Sequence, residues 1–166
     1  MNIDFLHRIG VFVALLVVQV LILNHVHLFN VATPLLYVYI ALHFSPDYPR
    51  WGVLLWCFAM GLLVDMFSNT PGVAAASMTL VGLVQPSLLK LFLPRDADEG
   101  LVPSMNTLGP GKFVPYVLIL TFIYMVAFFS LDSFNFFNWE LWLVDIFGSW
   151  ALTMVLILVM EHFRRH

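Results

Sequence analysis

From Trp51 to Leu89 the chain carries one formal charge, Asp65, and this limits the possible folds more than any other feature. Residues 51–67 are otherwise apolar, and at about 1.5 Å per residue a helix of that length nearly crosses a bilayer core. A turn cluster follows, Ser68-Asn69-Thr70-Pro71-Gly72, in which each residue bonds locally or supplies special backbone angles. Residues 73–93 then resume the apolar run. Its first turns are Ala74, Ala75, Ala76 and Ser77, which let helix backbones approach closely where lipid offers no hydrophobic drive. The stretch reads as a membrane hairpin with the remaining helices arranged around it.

The rest of the chain fits that setting. Of 166 residues, 61% are hydrophobic and 10% charged, whereas a soluble domain is about 45–50% apolar and about 25% charged. So small a globule lacks the interior to hide that much apolar surface. An all-α integral membrane protein is expected, one domain over residues 1–166, with six spans near 9–23, 31–44, 51–67, 73–93, 113–131 and 140–163. The first span follows Arg8 without a small-residue cleavage site, so it reads as a retained helix. Pro34 sits in the first turn of the second span, where a missing N–H costs least. Pro86 removes one helical bond in the fourth, which predicts a kink near Gln85. Residues 94–112, rich in Pro and Gly, read as an exposed, solvated loop. The lone Cys57 excludes a disulfide framework.

Orientation follows from the cations. Arg8 precedes span one, Arg50 lies in the second connection, and Lys90, Arg95 and Lys112 flank the fourth. Arg164 and Arg165 end the chain, and connections one, three and five carry none. By the positive-inside rule both termini are cytoplasmic. The Asp65 turn, the His25/His27 break and the aromatic stretch with Phe134, Phe136, Phe137, Trp139 and Trp142 then face outward.

Few residues suggest chemistry. Asp65, about one turn from the outer end of its helix, either bonds backbone groups of the following turn or meets a partner or ligand. Asp145 enters the last span from the same side. A facing carboxylate pair suits acid/base work, but neither acid has a recognisable flanking motif, so two unrelated interfacial acids is the better reading. His25 and His27 lack a third metal ligand nearby, since His43 belongs to the opposite end. Gly109-Pro110-Gly111-Lys112 lacks the upstream Gly and following Ser/Thr of a phosphate loop. No HExxH, GxSxG or CxxC occurs. The expectation is a protein that is not an enzyme, with no cofactor and no metal.

At the hairpin the sequence resembles the rod shape-determining protein MreD family. The likeness rests on Gly61-Leu62-Leu63-Val64-Asp65, a short polar turn, Gly72, and the small-residue start Ala74-Ala75-Ala76-Ser77. Pro34-Leu35-Leu36, the length and the six spans also resemble the family. The resemblance implies a non-catalytic scaffold of the bacterial inner membrane, pairing with MreC, a single-span protein with an extracytoplasmic domain. Through it, family members are thought to link MreB filaments to a RodA-type glycosyltransferase and a class B penicillin-binding transpeptidase, and so to control cell shape.

The family's fold is similar to the six-helix substrate-binding components of energy-coupling-factor transporters, so the alternative is a vitamin-binding transporter subunit. Such a binder needs convergent polar groups in an outward pocket, for which Asp65, Asn69, His25, His27 and Asp145 are the candidates. A scaffold needs a groove of small residues facing lipid, which Gly72, Ala75, Ala76, Thr79 and Gly82 can line at helical spacing. Tight packing inside the bundle would use the same residues. Gly61, Asp65 and Pro34 complete the candidate set for partner binding or for building the hairpin.

Overall fold

The computed structural model describes residues 3–25, 33–97, 100–133 and 138–165, and among them every regular element is helical. Five helices are long and apolar enough to cross a bilayer: α1 (Ile3–Leu21), α3 (Arg50–Ser68), α4 (Val73–Phe92), α6 (Pro110–Asp132) and α7 (Trp139–Arg165). The chain is a multi-pass helical membrane protein. Burial is arranged as lipid requires. Leu55, Phe58, Leu62, Leu80, Leu83, Phe147 and Val155 lie on the outside, while Gln19, Ser77, Gln85, Thr121, Ser149 and Thr153 are buried. In water so continuous an apolar surface would be an aggregation hazard.

The second segment differs from a regular span. Residues 33–35 are irregular, and a 3-10 turn (Leu36–Val38) leads into the four-residue helix α2 (Tyr39–Leu42). This segment is nonetheless almost wholly buried, with Tyr37, Val38 and Ala41 fully enclosed. It runs antiparallel to α1 and parallel to α7. At one end Gln19 of α1 donates from Nε2 to the Pro34 carbonyl (3.0 Å) and accepts at Oε1 from the Leu36 N–H (3.0 Å). Ser149 and Thr153 of α7 accept from the N–H groups of Thr33 (3.2 Å) and Leu35 (3.1 Å). At the other end the His43 and His7 rings lie 6.5 Å apart, and the Tyr39 hydroxyl donates to Glu161 (2.7 Å). The interval from Gln19 to His7 is about 18 Å of helical rise. Irregular backbone survives at membrane depth only where protein satisfies its polar groups, and here three side chains do so.

The hairpin of α3 and α4 is packed to backbone contact. A Cβ added at Gly61 would lie 2.5 Å from the Ala74 carbonyl oxygen and 2.5 Å from the Ala75 Cα. α4 continues unbroken through Pro86. Its buried Gln85 donates from Nε2 to the Phe44 carbonyl and to the Tyr116 hydroxyl of α6, both at 3.1 Å. Between α6 and α7, the Trp150 indole N–H donates to the Leu118 carbonyl (3.2 Å) and to Thr121 (3.1 Å). Arg8 of α1 stacks its guanidinium over Tyr48, 4.3 Å from the ring centre, which ties the start of the chain to the second connection.

The 94–112 connection is not a wholly exposed loop. It contains α5 (Met105–Leu108), opened by a capping box between Ser104 and Thr107. Pro103, Ser104 and Leu108 are buried. The Met105 N–H donates to Glu161 Oε1 (3.0 Å) and the Gly100 N–H to Asp47 (2.8 Å). An unmet helix-start N–H and a buried carboxylate answer each other's needs, which draws the loop onto the bundle.

Candidate functional site

Two features at one end of the bundle hold most of the candidate residues. The first is the turn between α3 and α4. α4 begins at Gly72, whose φ of +83° suits glycine, and no side chain of its own caps it. The N–H groups of its first turn therefore need an outside partner. Asp65, from the last turn of α3, supplies it. Oδ1 accepts from the Ala74 N–H (2.9 Å) and the Thr70 hydroxyl (2.8 Å), and Oδ2 accepts from the Ala75 N–H (2.9 Å). The carboxylate is buried and sits at the positive end of the α4 dipole. Its own backbone carbonyl accepts from Asn69, which closes α3 in the left-handed region at φ +57°. Of the two roles open to Asp65 in the sequence, the geometry is that of the turn anchor.

The expected small-residue groove is split. Ala75 and Gly82 face α3, Ala75 beneath Gly61 and Gly82 within 3.1 Å (as a notional Cβ) of the Cys57 sulfur. Gly72 is exposed in the turn, and Thr79 is half-buried with its hydroxyl donating to the Ala75 carbonyl (2.7 Å). Ala76 alone of the set faces outward from the helix wall. The reason is rotation: positions 75 and 82 are one heptad apart and share a face, while 76 is turned by about 100°. Pro34 is buried with its carbonyl held by Gln19.

The second feature is a cavity of about 590 Å³ at the same end, bordered by α1, the irregular 33–37 segment, and the ends of α3, α6 and α7. Its deep wall is Gln19, Leu35, Tyr37 and Val64, and its rim holds His25, Thr70, Asp132 and Asp145. Asp65 is not among its lining residues: its two oxygens accept from three donors, whereas Asp145 borders the cavity. His27 and the aromatics Phe134, Phe136 and Phe137 lie outside the described residues. Among the described residues no three His, Cys, Asp or Glu side chains gather as metal ligands.

Sequence reasoning missed Gln19, Ser149, Thr153 and Glu161. Each is a polar residue within or at the end of an apolar run, a signal that such a residue faces the bundle interior. Ser149 and Thr153 stand four apart, on one helix face. Glu161 is 3% exposed and binds the Tyr39 hydroxyl, the Met105 N–H and, at 3.8 Å, Arg164, so it joins α2, the 94–112 connection and α7. No family model, curated protein or solved structure matches this chain.

Proposed function

We propose that this chain is a non-catalytic scaffold of a bacterial cell-elongation complex in the inner membrane, of the MreD kind. It binds an MreC-like single-span protein and, through it, couples MreB filaments to a RodA-type glycosyltransferase and a class B penicillin-binding transpeptidase. One observation carries the reading: the residues behind the resemblance form a single joint. Gly61, Asp65, Gly72, Ala74 and Ala75 are the close contact, the anchor and the anchored turn of one hairpin. A motif spent on rigidity rather than on a reactive centre suits a scaffold.

The topology proposed is six crossings with both termini cytoplasmic. It is supported by the alternation of the seven Lys and Arg residues, and by the course of 33–43 along α1 from Gln19 to His7. In a Cys57→Ala background, cysteines at Asn69 and His25 are expected to react with an impermeant thiol reagent added outside intact cells. Cysteines at Asp47 and Lys112 are expected to stay unlabelled. Equal labelling at His25 and Asp47 would mean that the second segment does not cross.

For the partner we propose the outward stripe of α4, where Ala76, Leu80, Leu83 and Ser87 are exposed at the 4-3-4 spacing of a helix-pairing seam. Gentle affinity purification from native membranes is expected to recover a single-span protein with an extracytoplasmic domain. Ala76→Leu is expected to lower that recovery severalfold at unchanged protein abundance, because the bulkier side chain holds the partner helix away. Unchanged recovery would remove this face from the interface. The second reading, a vitamin-binding transporter subunit, is favoured by the cavity beside Asp145. Recovery of a coupling protein with ATPase subunits would establish it instead.

A further inference from the structure

The cavity at the outer end has a definite electrostatic character. All seven Lys and Arg side chains belong to the other end: Arg8 stacks on Tyr48, Arg50 opens α3, Lys90 closes α4, Arg95 and Lys112 flank α5, and Arg164 and Arg165 close α7. The cavity end carries carboxylates instead. Asp132, exposed at the last residue of α6, and Asp145, half-buried in α7, both border the space. The lining also holds aromatic rings, among them the fully buried Tyr37 and the pair Phe128 and Phe129, which meet edge to face at 5.5 Å between ring centres. A volume of about 590 Å³ lies within the range of about 300–1,000 Å³ typical of small-molecule sites.

We propose that this cavity binds an organic cation, its ammonium group at the Asp132/Asp145 rim and its aromatic or alkyl body against Tyr37, Phe128 and Phe129. Carboxylates attract the charge, and ring faces accept a weakly hydrated ammonium better than a strongly hydrated metal ion. An anionic ligand finds no Lys or Arg there to meet it. The scaffold reading does not require this site. The second reading gains a ligand class from it, and the test below uses the purified protein without partners, so either reading of the complex can fail separately.

The amine can come from a soluble molecule or from the headgroup of a lipid such as phosphatidylethanolamine. The experiment is calorimetric titration of the full-length protein in a maltoside detergent, which carries no amine, with benzyltrimethylammonium as probe. Saturable one-to-one binding is expected, with benzyl alcohol and phenylacetate weaker by about tenfold or more. Asp145→Asn and Asp132→Asn are each expected to weaken the cation severalfold. Glu140→Gln, an exposed acid at the same end outside the cavity lining, should change it less than twofold. Asp132 is exposed at a helix end, so its variant stays informative if Asp145→Asn unfolds. Added phosphatidylethanolamine that displaces the probe, where phosphatidylglycerol does not, assigns the site to a lipid amine; no displacement assigns it to a soluble one. Absence of saturable binding, equal binding of the neutral analogue, displacement by Mg²⁺, or indifference to both Asp variants would overturn the proposal.

Discussion

Replacing Asp65 by alanine is expected to destabilise the protein by about 3 kcal/mol or more, because hydrogen bonds to a charged acceptor contribute about 1.5–3 kcal/mol each. The loss is larger than that of an ordinary helix cap, about 0.5–2 kcal/mol. Two backbone N–H groups, of Ala74 and Ala75, would be left at a buried helix start with no side chain of α4 able to replace the carboxylate. Asp65→Asn keeps one acceptor oxygen, so it should retain about half of the stabilisation; it also brings an amide N–H₂ against donors that it cannot satisfy. Equilibrium unfolding in mixed micelles of mild detergent and dodecyl sulfate measures the difference. A wild-type midpoint for Asp65→Ala would show that the anchor is redundant.

Gly61→Val is expected to be comparably severe for a steric reason. Its first side-chain carbon would lie 2.5 Å from the Ala74 carbonyl oxygen and 2.7 Å from the carbon it is bonded to. Those atoms are backbone of a helix and cannot rotate aside, so α3 and α4 must separate. Overpacking of this kind typically costs about 1–3 kcal/mol, occasionally more. Separation also lengthens the bonds from Asp65, so the double variant Gly61→Val with Asp65→Ala should lose less than the sum of the two. Gly82→Ala is the control on the same interface. Its added carbon meets the Cys57 sulfur at 3.1 Å and the Cys57 Cβ at 3.2 Å, a side chain that can shift, so a cost below about 1.5 kcal/mol is expected. The unfolding midpoint reads all of these.

How much was legible in advance varies by element. The ends of the hairpin helices were read to within a residue, because Arg50 before an apolar run and the Ser-Asn-Thr-Pro-Gly cluster are local signals. α1 starts six residues before the apolar run at Ile9, since Asp4, His7 and Arg8 interrupt that run without breaking a helix that is exposed there. At Pro86 the sequence identifies one missing helical bond, and the structure adds that α4 is continuous there, with Gln85 bonded to the Phe44 carbonyl and the Tyr116 hydroxyl. The 94–112 connection looked solvated because nothing in its own residues points to Glu161, more than fifty positions away.

The sequence by itself determined the solvent, because so little charge over so many residues leaves only a bilayer as a suitable environment; of the six spans it suggests, five are helices long enough to cross, and the second is a 3-10 turn and a four-residue helix. It also determined which end carries every cation, since charge placement is set along the chain and not by packing. Tertiary structure decided the rest. Whether residues 33–43 form a regular helix turned on Gln19, Ser149 and Thr153, which offer their backbone partners from two other helices. Whether Ala75 and Ala76 face a neighbour or lipid turned on the rotation of α4, set by Gly61 and the grip of Asp65. A cavity exists only where several helix ends diverge, and no single segment encodes that. Local sequence sets what a segment prefers; partners far along the chain set which preference is satisfied, because a buried polar group must find its bond wherever one is offered.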